Sequence, residues 1–246
     1  SEMCIRDRSM RIGILQCDHV KSKLQPKFGN YPEMFATMIH AQNPQHKLLN
    51  FAACDAELPD QTDLCDAYIL TGSASSVYED LQWIRDLESF VRSLHQQLIP
   101  TVGICFGHQL LAQALGGETM KSAKGWGVGI ANHRVVANQD WMIPQVNEAK
   151  VLVSHQDQVT RLPSQARRIL ESEFCPNAMF QLGEHIIGCQ GHPEFVPEYS
   201  HALMKLRKGK IPENVRQVGI DSLTKNTELG PLPLWIENFL KSHQKS

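Results

Sequence analysis

Thr101-Val102-Gly103-Ile104-Cys105-Phe106-Gly107-His108-Gln109-Leu110-Leu111-Ala112-Gln113-Ala114-Leu115-Gly116-Gly117 is the stretch whose reading decides the fold. The apolar run from Ile99 to Ile104 reads as a buried strand. Leu110, Leu111, Ala114 and Leu115 follow at helical spacing, and Gly116-Gly117 marks a helix end. Cys105 stands between strand and helix, flanked by Gly103 and Gly107. A strand, a sharp turn and a helix with a nucleophile at the corner match the G-x-S-x-G elbow, with sulfur replacing oxygen. The glycines leave room for the turn, and a helix N-terminus favours thiolate over thiol. Covalent catalysis by cysteine is the expectation.

Outward from the elbow, short apolar runs alternate with amphipathic stretches. Residues 11–17, 47–52 and 67–71 read as strands. Residues 31–42 and 80–97 read as helices, the first through Met34, Phe35, Met38 and Ile39, the second through Leu81, Ile84, Leu87, Val91 and Leu94. Such alternation indicates a parallel sheet covered on both faces. The second half holds more strand: 128–137, 150–154, 169–174, 178–182 and 185–190, several joined by short polar connections that imply antiparallel pairing. Helices are expected at Tyr199 to Arg207, 212–222 and 232–242. The fold class is therefore α/β, three-layered, with a mixed, mostly parallel central sheet and a helical C-terminal extension. No composition break divides residues 10–246, so one domain is expected, its core over about 10–195 and the extension over about 197–246. Residues 1–9 do not fit the pattern that begins at Met10 and read as a tail or artefact.

The 246 residues are 42% hydrophobic and 20% charged, as in a soluble globular protein. A formal net charge of −2 provides no basic field for nucleic acid. No apolar run approaches the roughly 20 residues that span a membrane, and no export signal is visible. Seven cysteines at irregular spacing, without a Cys-x-x-Cys pair, argue against a disulfide framework or a structural zinc site and for a reducing cytoplasm. No metal or cofactor is expected.

A cysteine nucleophile needs a base, and the base an orienting group. Among 11 histidines, His192 is singled out by context. It follows the strand candidate 185–190 within Gly188-Cys189-Gln190-Gly191-His192-Pro193-Glu194-Phe195, where Glu194 can accept the second imidazole N–H. Sites in open α/β sheets form at the carboxyl ends of strands. Cys105, Thr71-Gly72-Ser73, Ser154-His155 and Gln190-Gly191-His192 all lie at such ends.

Gly-Ile-Cys-Phe-Gly-His-Gln with Gly-His-Pro-Glu resembles the class I (triad-type) glutamine amidotransferase family. Ser154-His155-Gln156-Asp157-Gln158-Val159 resembles a further motif of that family, especially in GMP synthase, and Thr71 to Tyr78 resembles another. The resemblance runs from about Met10 to Phe195 and keeps the family's motif order. It implies a flavodoxin-like amidotransferase fold and a Cys105–His192–Glu194 triad acting on a small γ-glutamyl compound, glutamine above all, through a γ-glutamyl thioester. It further implies an oxyanion hole from the amides of Gly72 and Phe106, and substrate binding by Gln109, Ser154, His155 and Asp157. Ser73 stands where many members have glycine, and is similar to stand-alone members such as γ-glutamyl peptidases. No Walker-type phosphate loop occurs, so any ammonia-consuming synthetase is expected as a separate partner.

Two alternatives share this chemistry: a γ-glutamyl peptidase, and a glutaminase subunit that works only with a synthetase. A DJ-1/PfpI-type protein also has an elbow cysteine, but commonly with histidine next to it, where this chain has Phe106. His108 is expected to pack rather than act as base. His155 divides evenly between substrate pocket and strand terminus. Trp126, with Lys121 and Lys124, reads as the anchor of a solvated loop, and Lys205 to Lys210 as a solvated helix end. Trp235, Ile236, Phe239 and Leu240 read as core.

Overall fold

The computed structural model describes residues 9–224 and 228–244. Apart from Ser9, the expected tail lies outside the described residues, and so does Cys4. The first half comprises β1 (Arg11–Leu15), α1 (Gln25–Phe28), α2 (Tyr31–Gln42), β2 (Lys47–Phe51), β3 (Ala67–Leu70), α3 (Gln82–Gln96), β4 (Thr101–Ile104) and α4 (Phe106–Ala114). The second comprises β5 (Glu118–Lys121), β6 (Gly127–Val135), β7 (Glu148–His155), β8 (Asp157–Arg161), β9 (Arg167–Glu171), β10 (Met179–Leu182), β11 (Ile186–Cys189), α5 (Pro197–Leu206), α6 (Glu213–Thr224) and α7 (Leu232–Lys241).

Local chemistry sets these boundaries. Asn30 caps α2 in a capping box with Glu33, and a proline sits in the first turn, where its missing N–H costs nothing. Met34, Phe35, Met38 and Ile39 form the buried face of α2, and Ile84, Leu87, Val91 and Leu94 that of α3.

Nine strands form one mixed sheet in the order β2-β1-β3-β4-β11-β10-β9-β6-β7. Its first five strands are parallel and its remaining pairings antiparallel. Successive side chains of a strand point to opposite faces, and the core divides accordingly. Ile12, Ile14, Ala67, Ile69, Val102 and Ile104 pack with Phe35 of α2, Tyr199 and Leu203 of α5 and Trp235 and Phe239 of α7. Leu15, Tyr68 and Leu70 pack on the other face with α3 and with Phe106, Leu110 and Leu111 of α4. The three layers follow from this alternation. Trp235, Ile236, Phe239 and Leu240 are buried, as their spacing indicates.

One sheet escapes the sequence reading: β5 and β8 pair antiparallel as a separate two-stranded ribbon. Glu118–Lys121 buries only Thr119, and Asp157–Arg161 is mostly polar, so neither carries a hydrophobic alternation to detect. Asp157 therefore opens a strand rather than trailing one. Among the described residues, no helix is long and apolar enough to cross a membrane.

Candidate active site

The register of three adjacent strands builds the site. Ile104 of β4 pairs with Cys189 of β11, and Gly103 pairs with Leu70 of β3. One residue beyond β4 stands Cys105. The residues after β3, Thr71-Gly72, flank it on one side, and those after β11, Gln190 to His192, flank it on the other. Cys105 N–H donates to Cys189 O at 2.8 Å, which extends the β4–β11 ladder into the turn.

Cys105 takes φ 52° and ψ −103°, a left-handed conformation that is strained for a residue with a side chain. The glycines around it are needed for space. A Cβ on Gly103 would lie 2.5 Å from Gly107 O, and one on Gly107 would lie 2.6 Å from Leu70 Cβ. Strand, helix and neighbouring strand thus approach closer than any side chain permits, and the thiol is carried to the N-terminus of α4, where it is 5% exposed.

His192 Nδ1 lies 2.7 Å from Glu194 Oε1, with both residues buried. The Phe195 ring stacks on the imidazole at 3.9 Å between centroids and 8° between planes. Burial opposes charge on this ring, but the Glu194 carboxylate and the Cys105 sulfur outweigh it and lift the His192 pKa to about 10. A Cβ placed on Gly72 would stand 2.9 Å from His192 Cε1 and 3.7 Å from Cys105 Cβ. The three residues therefore converge on one point, and only glycine fits among them. Among the described residues, neither the Gly72 nor the Phe106 amide has a hydrogen-bond acceptor.

Around the sulfur runs a polar frame. Gln190 Nε2 donates to Cys105 Sγ at 3.5 Å, while Gln109 Nε2 donates to Gln190 Oε1 at 3.1 Å and to Asp157 O at 3.0 Å. Although β7 is the far edge of the sheet, it returns to this frame: His192 N–H donates to Leu152 O at 2.8 Å, and Cys105 Sγ sits 4.0 Å from Ser154 O. His155 Nδ1 faces Asp157 O at 3.1 Å, and burial pushes the His155 pKa down to about 4. The Asp157 carboxylate accepts from Ser76 Oγ at 2.5 Å and Tyr78 OH at 2.9 Å, pinning the loop after β3 to the start of β8. His108 packs against Phe180 at 5.2 Å, and burial lowers its pKa to about 3.

A cavity of about 510 Å³ opens above this floor. Cys105, Ser73, Gln109, Ser154, His155 and Asp157 line it; Gly72, Phe106, His192 and Glu194 are not among its lining residues. Its mouth is formed by residues to which the sequence pattern assigns no part in a site. Trp126 is a cavity wall rather than the anchor of a solvated loop. Arg207 is not part of a solvated helix end: it is half-buried, donates from Nη1 to Ser154 Oγ at 2.7 Å, and lies 5.4 Å over the Trp126 ring. Lys21, Lys23 and Lys210 complete the mouth. No local pattern marks these residues, since they come from a loop after β1, from the connection between β5 and β6, and from beyond α5. Gln190 lies within the motif around His192, but nothing in its spacing gives it a role.

The six described cysteines are all free. Among the described residues, one His/Cys/Asp group has ligand atoms close enough to consider a cation: His19, Cys54 and Asp55. Gln16 Nε2 and Asn30 Nδ2 both approach His19 Nδ1 at 3.0 Å, so Nδ1 is the acceptor and Nε2 carries the hydrogen toward Asp55 at 2.8 Å. The imidazole is committed to a hydrogen bond, with no lone pair turned to a metal.

Comparison with known proteins agrees with this architecture. A family model described as glutamine amidotransferase class-I matches residues 31–207. Gamma-glutamyl peptidase 2 of Arabidopsis thaliana is 27% identical over 244 residues, covering 95% of this chain and 97% of that protein. A glutamine-hydrolysing GMP synthase subunit from Archaeoglobus fulgidus is 37% identical over 97 residues, or 39% of this chain and 52% of that one. A glutamine amidotransferase structure from Thermotoga maritima superposes with a TM-score of 0.72 at 17% identity, covering 94% and 95% of the two chains.

Proposed function

We propose, from the premise that this chain belongs to the class I glutamine amidotransferase family, that it hydrolyses the γ-amide bond of small γ-glutamyl compounds through Cys105, His192 and Glu194. The observation that carries the reading is the buried His192–Glu194 hydrogen bond of 2.7 Å, set against the elbow cysteine at the base of a cavity.

In this mechanism His192, with its raised pKa, holds the proton given up by Cys105. The sulfur attacks the γ-carbonyl carbon, and the carbonyl electron pair moves onto oxygen, facing the amides of Gly72 and Phe106. Removal of one such donor typically costs about 2.7–4 kcal/mol of barrier. The oxyanion collapses, the C–N bond breaks, and His192 passes its proton to the departing amine or ammonia. Water then attacks the γ-glutamyl thioester, giving up a proton to His192, and glutamate leaves as the thiol is restored. Glu194 keeps the imidazole oriented and stabilises its charge. Gln190 Nε2 steadies the sulfur. Asp157 offers a carboxylate to the substrate ammonium, and Ser73, Gln109, Ser154 and His155 shape the pocket for the glutamyl end. A cytoplasmic setting keeps the thiol reduced.

Two observations favour γ-glutamyl compounds larger than glutamine. The peptidase relative matches this chain over nearly its whole length. The cavity falls in the size range that holds drug-sized ligands. Product analysis tests the reading: a γ-glutamyl dipeptide should yield glutamate and the free amine, and both should vanish in Cys105→Ala. Absence of cleavage across glutamine and a dipeptide panel would refute it. A second reading, in which the chain supplies ammonia to a separate synthetase, is favoured by the GMP synthase relatives. It predicts that glutaminase activity rises severalfold or more when such a synthetase is added, and a null result there removes it.

A further inference from the structure

We infer that the mouth of the cavity is a carboxylate-recognition site for the leaving group, so that Lys21, Lys23, Arg207 and Lys210 select γ-glutamyl compounds whose amine portion bears a carboxylate. This rests on the catalytic reading above and adds a substrate class to it.

The argument is one of unmatched charge. Four cationic side chains line the cavity, and Asp157 is the lone carboxylate among its lining residues. Both Asp157 oxygens already accept hydrogen bonds, from Ser76 and Tyr78. Among the described residues, none of the four cations forms an ion pair with a carboxylate. Arg11, Arg85 and Arg168 pair with Asp66, Glu88 and Glu171, while Arg92, Arg161 and Arg167 bond to uncharged oxygens, so it is the setting of Arg207 in the cavity that distinguishes it. Arg207 is held differently. Ser154 takes one N–H and the Trp126 ring supports the guanidinium face. A guanidinium has five donors in a planar fork, and the rest of this fork remains for a carboxylate, the geometry in which arginine binds most strongly. Fixed over Trp126, the fork loses little freedom on binding.

The glutamyl group itself does not account for these charges. It brings one ammonium and one carboxylate. Asp157 can meet the ammonium, and one cation meets the carboxylate. The other cations still lack a counter-charge. A carboxylate on the far side of the scissile bond supplies it, and a neutral amine or ammonia does not. The position of the cations at the mouth, above a buried sulfur, suits the part of the substrate that leaves first.

The test compares γ-glutamylglycine with γ-glutamylglycinamide, which differ by one charge on the leaving group. Wild-type protein at low salt is expected to favour the acid in kcat/KM by about tenfold or more, the scale of one charge-assisted hydrogen bond. That preference should shrink as salt is raised, because exposed charges are screened. In Arg207→Met, and separately in the combined Lys21→Met, Lys23→Met and Lys210→Met variant, the acid-to-amide ratio should fall toward one. A general loss of structure would lower both substrates together and leave the ratio intact. The lysines are exposed, so the combined variant keeps the test informative if Arg207→Met fails to fold. Calorimetry on Cys105→Ala measures the same preference without turnover. Equal affinity for acid and amide there, or a ratio unchanged in the lysine variant, overturns the inference. Preferential binding of the acid without cleavage by wild type would instead overturn the catalytic reading and leave the anion site standing.

Discussion

The floor and the mouth of the cavity are built on opposite principles. The floor is buried and mutually bonded: Cys105, Gln190, Gln109, His192 and Glu194 have exposures of at most 6%, and each is linked to a neighbour in the frame. The mouth is wetter and its charges are unmatched: Lys21, Lys23 and Lys210 are exposed, and Arg207 leans on a tryptophan. Buried polar groups are costly to leave unpaired, and the floor pairs its own apart from Glu194 Oε2, so its members constrain one another. Exposed cations are already hydrated, so the mouth can remain without a partner until a ligand arrives. The floor is thus suited to chemistry and the mouth to selection, and substitutions in the two should fail in different ways.

The largest effect is expected at Cys105, the proposed nucleophile. Cys105→Ala should lower turnover by about a millionfold, the scale of deleting a nucleophile in a cysteine- or serine-type site, while the folding midpoint stays near wild type. Rapid-quench mass spectrometry should also lose the γ-glutamyl adduct. Residual turnover within tenfold of wild type would move the nucleophile elsewhere and dissolve the distinction between floor and mouth.

Next comes Glu194→Gln, expected to cost roughly 10³- to 10⁴-fold, as in other triads whose orienting acid is neutralised. Its pH profile sharpens the comparison. In the proposed mechanism activity requires His192 to hold its proton, so it should fall as pH rises through the imidazole pKa, which is lifted to about 10. Burial pulls that pKa down, and the Glu194 carboxylate is the largest influence lifting it. Removing the carboxylate should therefore move the basic limb to lower pH. A limb that stays in place would mean that another group titrates there.

This division also explains what can be read from the sequence. The floor is legible because each member stands next to a strand end: Cys105 after Thr101–Ile104, His192 after Ile186–Cys189, Gly72 after Ala67–Leu70. Hydrophobic runs announce strands, and the parallel register then aligns their ends. The mouth is not legible. Lys21 and Arg207 are 186 residues apart by their numbering, and nothing local to Lys205 to Lys210 shows that Arg207 turns inward to Ser154. The β5–β8 ribbon escapes for a related reason, because its strands bury too little to show a period. His108 and His155 show the same limit in reverse. Both sit in recognisable motifs, yet burial pushes their pKa values down to about 3 and 4, while His192, equally buried, goes up. Both His155 and His192 have an acid two residues on, but His192 touches the Glu194 carboxylate at 2.7 Å whereas His155 faces only the backbone O of Asp157, and that contact gives Glu194 its weight.

Gly72→Ala probes the packing of the floor. The added methyl would stand 2.9 Å from His192 Cε1, so either the imidazole or the loop after β3 must move. A displacement of that kind near reacting atoms costs on the order of 10²-fold, and it should appear in kcat more than in KM. The fold should survive, because the crowded neighbour is a side chain rather than the sheet. Full activity would show that the imidazole has room to shift, and that the floor is looser than its hydrogen bonds imply.

Trp126→Ala should have the smallest effect and is the most direct challenge to the contrast. The ring supports the Arg207 guanidinium at 5.4 Å, a cation–π contact of about 0.5–1 kcal/mol at a partly exposed site. Its loss leaves Arg207 tied by Ser154 Oγ alone. The guanidinium then samples more orientations, and a carboxylate must order it on binding. That cost should raise KM for a carboxylate-bearing γ-glutamyl substrate by about two- to fivefold, with a smaller change for the neutral amide. If kcat falls instead and both substrates suffer alike, Trp126 is holding the floor through His155, which shares its cavity wall, and the two regions are one mechanical unit.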